Sequence, residues 1–301
     1  MILEGNRPSE AEQAAVFREK VIYEIFYALG LSRGGLAGWL LRPLFRPAAD
    51  RFGWIAARAD GEVPSSGLSG GARRILPDLG LRPAVRGADR LPREGPLVLV
   101  ANHPGGFDSV AILSCVPRRD MKVFISDVPF TRAFPSARDY FIYVPKDAGG
   151  RQESLRASID HLKGGGSLLV FAHGDVEPDP ELGPGAGAAI RDWSRSVEIM
   201  LRRVPEAWLQ VAIASGVLMA KFMRSPLVRI RKTAARRQKL AEVLQICQQM
   251  LFPKSVHIDV HISFAKPVKL AAGSREELMP GVMGIARELL DDHLDWLRRA
   301  A

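Results

Sequence analysis

His103 and Asp108 have the residue types and the spacing for proton-transfer chemistry. A carboxylate facing an imidazole holds one ring nitrogen as N–H, which leaves the other to take a proton from an attacking hydroxyl or amine. Between the two lie Pro104, Gly105, Gly106 and Phe107. Glycines there let the backbone approach a substrate closely and can offer N–H groups to an oxyanion. The bland alternative is a histidine that only satisfies a structural hydrogen bond, and spacing alone does not separate the two.

Such a pair needs a rigid support. Leu97, Val98, Leu99, Val100 and Ala101 form an apolar run between Gly95-Pro96 and Pro104-Gly105-Gly106, the pattern of a buried strand. Val110, Ala111, Leu113 and Ser114 predict a helix with Asp108 at or near its cap. Further strands are expected at 122–125, 140–144, 168–172, 209–214 and 256–264. Helices are expected over 155–162 and 236–252, the latter with Leu240, Val243, Leu244, Cys247 and Leu251 inward. Strands alternating with helices make the main domain α/β. In the last strand His257, Asp259, His261 and Ser263 alternate with apolar residues, which reads as a wet face rather than a metal site. Ser274 with Glu277 offers a capping box for a final helix, interrupted near Pro280-Gly281.

Ahead of this domain the pattern differs. Residues 11–29 place Phe17, Val21, Ile22, Ile25, Phe26 and Leu29 on one helical face and charges on the other. Residues 36–46 carry Leu36, Trp39, Leu40, Leu41, Leu44 and Phe45 beside Arg42 and Arg46. Residues 1–59 therefore read as an amphipathic helical segment suited to a membrane interface, or as two helices packed on the main domain. The Gly/Ser-rich stretch 60–75 reads as a linker, and 76–301 as the α/β domain with a C-terminal helix.

The chain has 301 residues, 47% of them apolar, which is enough for a substantial core. Its net charge of +9 implies an anionic partner, such as an acidic membrane surface or an acidic carrier. The basic residues of 224–239 lack interleaved aromatics and any nucleic-acid motif, so no nucleic-acid partner is expected. Cys115 and Cys247 give no disulfide framework or zinc spacing, and no metal or resident cofactor is expected. No secretory signal or spanning segment is visible, so the expected location is cytoplasmic, peripheral on the cytosolic face of a membrane.

Asn102-His103-Pro104-Gly105-Gly106-Phe107-Asp108, after an apolar strand, resembles the first motif of the glycerolipid acyltransferase family, of the bacterial lysophosphatidic acid acyltransferase type. By order of motifs the resemblance runs from Val85 to Val268. It implies a mixed, largely buried sheet flanked by helices. The activity it implies is transfer of a fatty acyl group from acyl-CoA or acyl carrier protein to a lysophospholipid, glycerol phosphate or other lipid-like acceptor. His103 would be the general base and Asp108 its orienter, with Asn102, Gly105 and Gly106 in the substrate site. The family's second motif ends in an arginine that grips phosphate. Here Lys146 stands at that position with Arg151 nearby, and lysine lacks the bidentate fork. The third motif matches 171–176, where Phe171 and Gly174 are kept but His173 and Val176 replace a glutamate and an arginine. Asp175 and Glu177 would repel a phosphate, so an uncharged hydroxyl or a cationic amine fits the acceptor better. His173 and Gly174 remain candidates for acceptor binding. Two other readings stay open: a non-catalytic lipid-binding protein on the same fold, and a thioesterase in which His103 activates water.

Overall fold

The computed structural model describes residues 8–31, 35–145, 147–253, 255–270 and 277–300. Seven strands form one sheet in the order β1-β7-β6-β2-β5-β3-β4. They are β1 (Leu81–Arg86), β2 (Leu97–Ala101), β3 (Met121–Ser126), β4 (Phe141–Val144), β5 (Ser167–Phe171), β6 (Trp208–Ser215) and β7 (Ile258–Phe264). All neighbours run parallel except β6 and β7, so the sheet is mixed. β2 lies near the middle between β6 and β5, and each of its five residues is 0% exposed. A strand enclosed on both faces and both edges needs an unbroken apolar run, which is what 97–101 supplies.

The helices are α1 (Glu10–Leu29), α2 (Leu36–Ile75), α3 (Asp108–Cys115), α4 (Ala148–Lys163), α6 (Ser196–Arg203), α9 (Ala234–Leu251) and α10 (Met279–Ala300), with single turns α5 (Ala186–Ala189), α7 (Ala220–Met223) and α8 (Pro226–Arg229). Ser9 and Glu12 close a capping box at the start of α1. α1, α2, α3 and α9 cover one face of the sheet, where Val21, Ile55 and Ile112 share a core with Leu97 and Leu99. α4, α6 and α10 cover the other, where Leu162, Met200 and Leu290 meet Val98 and Val100. β2 thus divides its side chains alternately between two cores.

Four expectations change. Residues 60–75 are not a linker but the end of α2, with Asp60, Val63, Leu68 and Ile75 buried. Gly67 turns the helix through a positive φ of 67°, and Gly71 comes so close to Ala59 that a Cβ there would stand 2.7 Å from its carbonyl oxygen. The glycines that suggested flexibility instead permit close packing. Pro280 lies in the first turn of α10, where its missing N–H costs nothing, so the helix is not interrupted there. Leu251 is 41% exposed rather than inward, and Ser263, expected on a wet face, is buried beneath α10. The proposed capping Ser274 lies outside the described residues.

Candidate functional site

His103 follows β2 at its C-terminal end, where the ends of parallel strands leave a crevice. Its Nδ1 lies 2.8 Å from one oxygen of Asp108 and 3.1 Å from the other. Asp108 is fully buried at the start of α3 and also accepts the Gly105 N–H at 3.0 Å. One carboxylate thus fixes both the imidazole and the loop between them. The His103 ring packs on Phe171 from neighbouring β5, with centroids 4.5 Å apart. Nε2 has no hydrogen-bond partner among the described residues.

Glu177 clamps the loop from below. Its Oε2 accepts the His103 backbone N–H at 2.8 Å, its own N–H donates to the His103 carbonyl at 2.7 Å, and its Oε1 accepts the Trp193 indole N–H at 3.0 Å. Burial pushes its pKa up, against these hydrogen bonds. Glu177 is therefore an internal brace, and the repulsion of phosphate expected from it falls mainly to exposed Asp175. Asp179, also buried, accepts the N–H groups of Gly216, Val217 and Leu218 and ties the loop after β5 to the end of β6. Burial raises its pKa to about 6, with the backbone N–H groups opposing.

Burial disfavours a charge on His103, but the Asp108 carboxylate outweighs it, with help from Glu242 and Glu177, and raises the pKa to about 9. The resting imidazole is therefore cationic at neutral pH and acts as a base only once deprotonated.

The other expected residues are placed unevenly. Asn102 is buried, and its amide donates to the Ala214 carbonyl at 2.9 Å and accepts the Ala214 N–H at 2.8 Å. That side chain joins β2 to β6. His173 follows β5, next to β2, with Nδ1 3.3 Å from the Asp175 carbonyl oxygen. Gly174 has a positive φ of 77° and closes a turn through its N–H to Phe171. Arg151 is exposed in the first turn of α4, after β4, which lies three strands from β2, roughly 14 Å by ordinary strand spacing. Lys146 lies outside the described residues.

The loop also walls an apolar cavity of about 200 Å³. Gly106, Phe107, Ser109, Val110 and Leu113 form one part of its wall, Ile55, Ala59, Val63 and Ala72 of α2 another, and Val123, Phe130 and Phe134 a third. The carboxylate of Asp60 also borders it but is engaged by the N–H groups of Ser136 and Ala137. A base on a loop that also walls an apolar cavity can deprotonate a polar group while the cavity holds an attached hydrocarbon chain.

Residues 82–193 match the model of the family described as Acyltransferase. That segment runs from β1 through β5 and carries the family's sequence pattern. No curated protein matches the chain. Among solved structures, the 1-acyl-sn-glycerophosphate (LPA) acyltransferase PlsC from Thermotoga maritima is similar at 16% identity, with a TM-score of 0.46 over 91% of this chain and 96% of that one.

The matched segment contains His103, Asp108, Phe171 and Glu177, but two further residues at the site come from beyond it. α9 sends Gln238 to the carbonyls of Pro104 and Glu177, at 2.9 and 2.7 Å, and Glu242 to the Gly106 N–H. Burial pushes the Glu242 carboxyl pKa up, against the hydrogen bond from Gly106. Sequence reasoning missed both, because glutamine and glutamate on an amphipathic helix look like a solvated face. Their one signal is a run of polar residues at 238, 242, 245 and 249, which share a helical face.

Proposed function

We propose that this chain transfers a fatty acyl group from a thioester, acyl-CoA or acyl carrier protein, to a hydroxyl of a lipid-like acceptor, with an amine as the second choice. The observation that carries this reading is the His103–Asp108 pair beside the apolar cavity, on a loop they share.

His103 Nε2 takes the proton of the acceptor hydroxyl as its oxygen bonds to the thioester carbonyl carbon. Asp108 on Nδ1 fixes the tautomer and stabilises the imidazolium. The tetrahedral oxyanion takes a hydrogen bond from the Gly106 N–H. Collapse breaks the C–S bond, and the thiolate leaves with the proton from His103. The acyl chain occupies the cavity between α2, α3 and β3. Asp175 and the loss of an arginine at Val176 favour an acceptor whose attacking end carries no phosphate, over glycerol phosphate or lysophosphatidic acid.

Trp39, Leu40 and Leu44 are 69%, 60% and 62% exposed on α2, beside exposed Arg42 and Arg46. An apolar surface flanked by arginines suits the anionic headgroup boundary, so we place the protein on the cytosolic face of a membrane. Among the described residues no helix is long and apolar enough to cross one.

Lipid mass spectrometry of cells expressing the wild type, His103→Ala and Asp108→Ala tests the reading. An acylated species made only by the wild type is the expected result and identifies the acceptor. Identical profiles from all three folded proteins, in several hosts, would overturn it in favour of a non-catalytic lipid-binding role.

A further inference from the structure

Three backbone N–H groups near His103 belong to glycines, and all three have partners of different kinds. The Gly105 N–H goes to Asp108, itself part of the pair, and the Gly174 N–H closes a turn on Phe171. The Gly106 N–H goes to the carboxylate of Glu242, a flexible side chain from a separate helix. Gly106 is exposed and also lines the apolar cavity, and it lies on the short loop between His103 and Asp108. A Cβ on Gly106 would stand 2.7 Å from Glu242 Oε1, so only glycine lets the carboxylate come this close.

The rest of the same helical face is anchored. Gln238 donates to the Pro104 and Glu177 carbonyls, Gln245 to the Val217 carbonyl and Gln249 to the Leu79 carbonyl. These amides hold backbone that is internal to the fold, whereas Glu242 alone on this face sits on an N–H that a substrate can use.

We propose that Glu242 is a positioning residue that guards the thioester: its carboxylate occupies the Gly106 N–H until the acceptor's hydroxyl or ammonium draws it away. This rests on the acyl-transfer reading above. Without an acceptor, water is the competing nucleophile. Its oxygen would bond to the carbonyl carbon as His103 takes one proton, the C–S bond would break, and that proton would leave on the thiolate, giving fatty acid and thiol. Glu242 opposes this twice. It denies the oxyanion its donor, and its charge keeps His103 protonated. The groups facing this centre are Asp108 from α3, Glu177 and His173 after β5, and Glu242 and Lys239 from α9, so Glu242 is the negative charge that reaches the loop from a separate helix through a single hydrogen bond.

The test uses the full chain with palmitoyl-CoA as sole substrate, reading thiol release across neutral and alkaline pH. The alkaline plateau of Glu242→Ala should rise about tenfold over wild type, because the N–H is freed, and fall to background when His103→Ala is added. Glu242→Gln keeps an amide oxygen on the N–H but loses the charge. Its plateau should match wild type while its acid limb moves down by about one pH unit. Equal plateaus in wild type and Glu242→Ala would overturn the guard. Should Glu242→Ala melt early, an unmoved acid limb in Glu242→Gln overturns it instead. A parallel arm adds total lipid extract. His103-dependent transfer there, with unchanged acceptor-free release, removes the guard alone; no His103-dependent consumption of palmitoyl-CoA in any arm removes the acyl-transfer reading as well.

Discussion

The two faces of the sheet are built from one strand and solve opposite problems. Leu97, Leu99 and Ala101 of β2 point toward α1, α2, α3 and α9, and Val98 and Val100 toward α4, α6 and α10. The first face leaves an apolar cavity between α2 and the sheet, and the second is filled by Leu162, Ile190 and Met200, each at most 1% exposed. Empty apolar space forgoes dispersion contacts that a filled core keeps. The second face can therefore supply stability while the first keeps room for a ligand. Activity and stability should then separate by face.

The largest separation is expected at the pair itself. His103→Asn, which keeps an N–H donor for the buried Asp108 carboxylate but has no base, should lower acyl transfer by about 10²–10⁴-fold, with a loss of stability that is small beside that fall. In the wild type, kcat/KM should rise with pH along an acid limb near pH 9, since the base works only when neutral and its pKa is about 9. A limb near the ordinary histidine value would show that the surrounding carboxylates do not act on the ring in solution.

Leu162→Ala, on the filled face, should do the reverse. Leu162 is 0% exposed, and its truncation should cost about 2–5 kcal/mol in denaturant unfolding while chain-length preference stays unchanged. Altered chain preference in this variant would break the division between the faces.

A third difference is electrostatic. His103 is raised by carboxylates, whereas His293 of α10 is 0% exposed between the hydroxyls of Ser215 and Ser263, each 2.8 Å away. Burial, with smaller contributions from His261 and Arg86, lowers the His293 pKa to about 4. Protonation then favours the unfolded chain. The stability that neutral His293 contributes is fully present above about pH 6.5 and lost as pH falls toward 4, about 3 kcal/mol in all. The difference between the unfolding free energies of wild type and His293→Gln should therefore change across this window, because buried Asp179 contributes equally to both. Parallel curves would mean His293 is not held neutral by the fold.

The legible parts of the molecule are those where local pattern and tertiary role agree. β2 reads from its apolar run, and the His103–Asp108 pair from a spacing that one loop can close. Residues 60–75 misled because glycine serves both flexible chain and tight helix contact, and only the partner, here Ala59 against Gly71, distinguishes them. Asn102 has a structural tie that its place in the chain does not announce, since its amide binds the neighbouring strand through Ala214. Glu242 was invisible because its partner lies 136 positions away. No periodicity records which loop a helix will face.

The smallest effect expected is a shift in chain preference from the cavity itself. Ala59 of α2 lines the cavity together with Gly106 and Phe107 of the His103 loop, and leucine there would extend into space that is now empty. Overpacking ordinarily destabilises because no room exists, so a void should take the larger side chain with little loss of stability. Each methylene of substrate excluded is worth about 1–3 kcal/mol in discrimination. Ala59→Leu should therefore lower kcat/KM for long acyl thioesters by about tenfold relative to short ones, leaving the acid limb of the profile where it was. Uniform loss across chain lengths would mean that the acyl chain lies elsewhere, and the cavity would then be a packing defect of the first face rather than its purpose.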